Sequence, residues 1–454
     1  MTSTPAPAAP DRRDVRRAAI GVAVVFVACG FVFATWASRL VAIRLTLGLD
    51  PGQMGLLLLC WSAGSVAAMP LSGRLIRRFG ARRVLTGCGC LAAVGLVGAG
   101  AAAAAGAVWA VGPLLAALGV GIGVWDVTMN VAATDVEHAL ARTVMPRFHA
   151  GYSLGTVLAG LSGAGLARAG LPVAAHFGAV AAVCLAAVGW GARRLLKGGA
   201  SDAVRPPAVA GSGPGARPPK PASARQAAAE LTSGRPQSTG SPSAGSPSAG
   251  RPPAGPPSSR PSSAWLESRV ILLGLVVLSL TLAEGAAGDW LASGIVQGFG
   301  VPEATGILGL TVFLTVQTAA RVFGTRLVDR FGRPAAIRAS GICAIAGVAL
   351  YALAPALPLA FAGAALWGAG AALVFPLGMS AAGDDPARAA ARTSVVATIG
   401  YGAFLTGPPL LGLLADHTGF RPAMLALAAP AALAVALAQA ARRPDAGDRR
   451  HRPG

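Results

Sequence analysis

Asp126, Glu284, Asp289 and Arg321 stand inside long apolar runs of this 454-residue chain, where an ionised group has no water to face. A charge at the centre of a bilayer costs about 2.5–3.5 kcal/mol on insertion scales, so each position needs a compensating role. Asn130 follows Asp126 by four residues and shares its helical face. Gln317 precedes Arg321 by the same spacing. Glu284 or Asp126 could exchange a proton there, with Asn130 and the ring faces of Trp36 and Trp290 holding a polar solute. Arg321 requires a carboxylate or carbonyl partner and, with Gln317, would line a cavity. The alternative for each carboxylate is structural, fixed by hydrogen bonds to a neighbouring helix or a loop arginine. Both readings stand at this point.

Other chemistries lack their residues. Cys88 and Cys90 are two apart and miss the spacing of a redox or zinc pair, and the six cysteines sit in apolar runs as small helix residues. The five histidines show no metal-ligand spacing. Gly119, Gly121 and Gly123 resemble part of a dinucleotide fingerprint, but no strand precedes them. No phosphate-binding lysine loop and no nucleophile elbow occur. The chain is expected to be no enzyme and to need neither cofactor nor metal.

The elements that carry these residues follow from composition. The chain is 54% hydrophobic and 12% charged, against about a quarter charged in a soluble domain. Apolar runs near the spanning length recur and must form helices, because lipid offers the backbone no partners. The spans are expected near 18–38, 52–71, 84–106, 108–134, 148–168 and 172–193. A second set is expected near 269–291, 304–325, 335–354, 357–380, 394–415 and 421–440. The net charge of +20 is carried by arginines in short loops, so it sets orientation rather than nucleic-acid binding. Arg74 to Arg83, Arg326 to Arg333 and the tail arginines place both termini in the cytoplasm, of a multi-pass protein in the plasma (cytoplasmic, or inner) membrane. Residues 197–266 turn to Pro, Ser, Gly and Ala, with a five-residue repeat from Ser241 to Gly255. Such a stretch buries too little apolar surface to fold. The expected order is a disordered tail over 1–17, a six-helix bundle over 18–196, a disordered cytoplasmic linker over 197–266, a second bundle over 267–441 and a tail over 442–454.

The two halves echo each other at an offset near 250 residues. Arg77-Arg-Phe-Gly-Ala-Arg returns as Asp329-Arg-Phe-Gly-Arg-Pro, and Gly151-Tyr152 as Gly400-Tyr401. Trp36-Ala-Ser returns as Trp290-Leu-Ala-Ser. Two similar bundles around a shared cavity can rock about a site near the midplane.

Gly73-Arg-Leu75-Ile-Arg77-Arg78-Phe-Gly80-Ala-Arg82-Arg83 resembles the Gly-x-Leu-x-Asp-Arg-x-Gly-Arg-Arg signature of the major facilitator superfamily. Asp329, Arg330, Gly332 and Arg333 fit it in the second half, with Thr325 for the first glycine. Arg77 replaces the acidic residue of the first copy. Asp126-Val-Thr-Met-Asn130, Glu137, Pro146-Arg-Phe-His149 and Glu284-Gly-Ala-Ala-Gly-Asp289-Trp290 are similar to a bacterial branch with MosC-like and YbjJ-like members. The resemblance implies an all-α membrane protein of twelve transmembrane helices in two pseudo-symmetric six-helix bundles. It further implies conformational switching at Gly73, Arg78, Gly80, Asp329, Arg330, Gly332 and Arg333, and a sugar-like solute. The expected function is therefore secondary active transport of a small polar solute by alternating access, coupled to protons and performed by a monomer. A multidrug-type exporter and a sensor that no longer transports remain as alternatives.

Overall fold

The computed structural model describes residues 11–142, 144–196, 263–385 and 388–443. Among them, twelve helices are long enough to cross a bilayer. The first half comprises α1 (Arg12–Leu47), α2 (Pro51–Phe79), α3 (Ala81–Ala104), α4 (Val108–Leu140), α5 (Met145–Arg168) and α6 (Val173–Ala192). The second comprises α7 (Ser268–Phe299), α8 (Glu303–Phe323), α9 (Thr325–Leu353), α10 (Leu357–Ala382), α11 (Ala389–Thr418) and α12 (Phe420–Ala441). Each expected span falls on one of these helices. Eleven are apolar enough to identify by hydropathy alone. The twelfth, α5, carries His149, Ser153, Thr156 and a run of glycines, which dilute its apolar character.

Local chemistry sets the ends. Gln53 Oε1 accepts from the Asp50 N–H at 3.1 Å, and Pro51 opens α2, where a missing N–H costs nothing. Gly48 closes α1 at φ 63° and Gly300 closes α7 at φ 62°, a left-handed conformation that glycine adopts without strain. Gly80 at φ 79° and Gly332 at φ 80° turn the chain between α2 and α3 and inside α9. Gly170 and Gly419 repeat the pattern at 71° and 83°. Three pairs of special glycines at matching turns express the duplication in the backbone.

Packing inside each half relies on small residues, as helices in lipid do. A Cβ on Gly119 would stand 2.0 Å from the Trp61 carbonyl oxygen, and one on Gly347 would stand 2.2 Å from the Trp367 nitrogen. These contacts bring α4 onto α2 and α9 onto α10 with backbones nearly touching.

Some expectations about the tails change. Arg12 to Arg17 belong to α1, which Asp11 caps by accepting from the Arg13 N–H at 3.3 Å, so the first helix starts before residue 18. Ser263 to Leu266, expected in the linker, lead through a short turn into α7, where Ala264 is buried. The rest of the expected linker, the first ten residues and residues 444–454 lie outside the described residues.

Candidate functional site

Charge divides the two ends of the molecule. The start of α1, the α2–α3 turn, the α8–α9 turn and the end of α6 are rich in arginine. At the opposite end the halves are bonded to each other. Arg39 Nη1 donates to Glu303 Oε2 at 3.2 Å, and Arg39 Nη2 donates to the Leu171 carbonyl. Arg39 is only 2% exposed, while the Glu303 side chain keeps 23% of its surface, so water reaches the pair from the carboxylate side. The Gly52 N–H donates to the Asp416 carboxylate, 3.1 Å to Oδ1, where the start of α2 meets the end of α11. Gly55 lies against Pro408, and Gly160 of α5 against Thr311 of α8. At the arginine-rich end, the ion pairs of Asp384 with Arg269 and Arg333, and of Glu267 with Arg388 and Arg392, are internal to the second half.

Between the halves lies a cavity of about 230 Å³. Its first-half wall is aromatic. Trp36 and Trp61 stack with centroids 6.1 Å apart and planes 27° apart, Phe33 meets Trp61 edge-on at 5.9 Å, and Tyr152 completes the surface. Ser62, Ser153 and Thr156 add hydroxyls. The second-half wall carries the charge. Arg321 Nη2 donates to Glu284 Oε1 at 2.6 Å, while Arg321 Nε donates to the Ala372 carbonyl at 3.2 Å. The Glu284 and Arg321 side chains keep 26% and 33% of their surface, so the pair borders the cavity rather than being sealed in protein. Asp289 lines the same wall. Among the described residues it forms no hydrogen bond or ion pair.

A π-helical turn over Ala287–Leu291 places Asp289. Such turns insert a residue into an α-helix, shift the side chains beyond it and recur at functional positions. Two lining residues carry buried donors with no partner among the described residues: Gln317 Nε2, on a side chain 4% exposed, and Trp36 Nε1, on one 3% exposed. A buried donor left unmade costs about 1–3 kcal/mol, which a bound polar group would recover.

The cavity thus gathers Trp36, Glu284, Asp289, Gln317 and Arg321. Trp290 lies elsewhere. It is buried against Phe420 at 5.5 Å and does not line the cavity, so it offers no face for stacking a solute there. The reason is register. Trp36 stands twelve residues before Gly48, but Trp290 only ten before Gly300. At 3.6 residues per turn, two residues rotate a side chain by about 200°. Asp126 and Asn130 also lie outside the cavity lining. They bond to each other, Asn130 Nδ2 donating to the Asp126 carbonyl at 2.8 Å.

The signature turns differ between halves. Arg78 and Arg330 each cover the ring of the following phenylalanine, at 5.5 and 5.2 Å. In the second half Arg333 Nη1 donates to Asp384 Oδ1 at 2.7 Å, while Asp329 is exposed. In the first half Ala81 occupies the Arg333 position. Glu137 there accepts from the backbone N–H groups of Val144 and Met145 at 2.7 and 2.8 Å.

Sequence reasoning missed Phe33, Trp61, Tyr152, Phe313 and Phe404 of the lining. The repeated Gly-Tyr pair at Tyr152 was the one available signal. Aromatics in apolar helices otherwise look the same whether they face lipid or a cavity.

Residues 273–454 match the model of the Major Facilitator Superfamily. An uncharacterised transporter of Sinorhizobium fredii, y4wD, is 30% identical over 430 residues, covering 92% of this chain and 96% of its own. Membrane protein MosC of Rhizobium meliloti is 26% identical over 405 residues, covering 89% and 85%. Among solved structures, a bacterial homologue of the human lysosomal transporter Spinster, inward-facing and unoccupied, superposes with a TM-score of 0.70. It has 14% identity and covers 96% of this chain and 98% of its own. A D-xylose-proton symporter gives 0.62 at 13% identity, covering 94% and 97%. These structures match in fold. With the twelve-helix duplication and a relative aligned along nearly its whole length, the chain belongs to the major facilitator superfamily and is a multi-pass membrane transporter rather than an enzyme.

Proposed function

We propose that the chain is a secondary active transporter moving a small polar, sugar-like solute across the cytoplasmic membrane by alternating access, coupled to protons. The observation that carries this reading is the cavity between the halves, aromatic on one wall and charged on the other, with a buried unpartnered donor on a lining residue of each half. A sugar-like ring can stack on Trp36 and Trp61 while its hydroxyls accept from Gln317 and Trp36 and bridge to Glu284 or Arg321. Asp289 is the proton carrier in this reading. A lone carboxylate crosses membrane depth at far lower cost as the neutral acid, so proton loading permits the cavity to close around the solute. The small volume and the ion pair disfavour a multidrug exporter, whose cavity would be large and mainly apolar.

The arginine-rich end is cytoplasmic by the positive-inside bias, with both termini there and the monomer as the working unit. The two halves, each six helices, rock against each other about the cavity. With the outer end bonded shut, the conformation in this reading is one closed to the outside. Arg39 and Glu303 then form an outer lock. Arg39→Gln is expected to raise the outward-facing fraction about tenfold, the factor for the ~1.5 kcal/mol that a hydrogen bond to a charged group contributes. The measurement is the rate at which an impermeant thiol reagent, added outside, labels Ser62→Cys in a cysteine-free background. An unchanged rate would remove Arg39 from the lock.

Proteoliposomes test the function directly. Uptake of labelled sugars, polyols, organic acids and organic cations is followed under an imposed proton gradient and again after an uncoupler. The expected result is concentrative uptake of one polar class that the uncoupler abolishes. Uptake confined to apolar cations would replace this reading with the exporter. Ligand-dependent thermal stabilisation without transport would replace it with the sensor.

A further inference from the structure

The first half carries an apolar groove away from the central cavity. It occupies about 400 Å³ where α2, α3 and α4 meet near the arginine-rich end, and Leu75, Phe79, Val84, Leu91, Val120 and Val124 wall it. Its one charged lining residue is Arg83, on the first turn of α3. From Arg83 to Leu91 the groove follows eight residues of helix, about 12 Å at 1.5 Å per residue. That is most of the depth of one leaflet, since the hydrocarbon core is about 30 Å thick.

Charge at the mouth is one-sided. Arg74, Arg77, Arg78, Arg82 and Arg83 are all exposed around the Phe79–Ala81 turn. Among the described residues Arg83 forms no hydrogen bond or ion pair. The corresponding turn of the second half is partly neutralised from within, because Asp384 receives Arg333 at 2.7 Å and Arg269 at 2.9 Å. Among the described residues the first half has no such arrangement. Arg77 replaces a carboxylate, Ala81 replaces the arginine that would reach one, and Glu137 is bonded to backbone. Among the described residues no carboxylate pairs with these exposed arginines, which leaves them open to an anion from outside the chain.

We propose that this groove binds one acidic phospholipid of the cytoplasmic leaflet, its phosphate on Arg83 and an acyl chain along Gly87 toward Leu91. The apolar walls take the chain, and the unbalanced guanidinium groups select the headgroup. The site is separate from the solute cavity and does not depend on the transport reading.

The test is native mass spectrometry of the full-length protein in neutral detergent, titrated with phosphatidylglycerol or phosphatidylcholine of equal chain length. The wild type is expected to bind the first phosphatidylglycerol about fivefold more tightly, the factor for one arginine at an anionic membrane surface. Arg83→Gln should abolish that preference, while Arg326→Gln, removing an equally exposed arginine of the second half, should keep it. Gly87→Leu supplies the apolar arm. A Cβ at Gly87 meets no atom within 4 Å, so the larger side chain fits without disturbing the fold and fills the groove. It should reduce binding of both lipids. Melting temperatures in phosphatidylcholine verify that the variants fold. A preference retained in Arg83→Gln, an unaltered Gly87→Leu, or no preference in the wild type would overturn the proposal. Competition by soluble glycerol phosphate as strong as by the lipid would overturn it too, because the groove would then be irrelevant.

Discussion

Asp289→Asn is expected to abolish proton-driven accumulation while leaving solute exchange across a membrane without a gradient. The asparagine keeps shape and hydrogen-bonding capacity but cannot carry a proton, so coupling is lost and the alternating motion persists. Accumulation should fall to the level of empty liposomes, with counterflow within about twofold of wild type. Folding should be untouched, because Asp289 has no hydrogen bond or ion pair among the described residues to lose. Its position in the π-helical turn keeps it on the cavity wall with either side chain. The decisive measurement is the pair of assays on one preparation. Accumulation that survives in Asp289→Asn would move the proton site elsewhere, to Glu284 first.

Glu284→Gln is expected to behave differently, because it strands Arg321. The 2.6 Å ion pair is part of the wall, and an arginine left without its carboxylate at this depth costs about 2.5–3.5 kcal/mol on insertion scales. Partial exposure to the cavity lowers that figure, since water reaches both groups. Glu284→Gln and Arg321→Gln should each lower the melting temperature and abolish transport. The double variant removes both charges and should regain most of the stability without regaining transport. That coupling is the signature of a paired interaction. If the double variant melted at the sum of the two losses, the ion pair would not be what joins these residues. If it transported, neither charge would be needed for the solute.

Much of the architecture was legible because lipid is a strict solvent. Long apolar runs have one stable form there, and the arginines between them mark one side. Glu284, Asp289, Gln317, Arg321 and Trp36 were legible for a related reason, since a polar group in such a run has few places to go besides a cavity. Helical phase was harder. Trp290 echoes Trp36 in the sequence, but two residues of register send it to Phe420. Asp126 and Asn130 share a face, but the sequence does not say what that face meets. The partners of the lock were beyond reach, because Arg39 and Glu303 are 264 residues apart and meet only through the packing of two halves. Asp384 was missed because it follows α10 in a turn, where a carboxylate looks like ordinary solvated surface.

The Asp416 carboxylate on the Gly52 N–H has a consequence for how easily the molecule can turn over. Both partners lie where the membrane ends, so water can take either place as the helices part. No hydrogen bond need go unmade, and the transition is an exchange of partners rather than a rupture. If this end faces outward and the halves rock as proposed above, dissolved ions would compete for the same groups, and the balance between the two orientations would respond to the salinity outside.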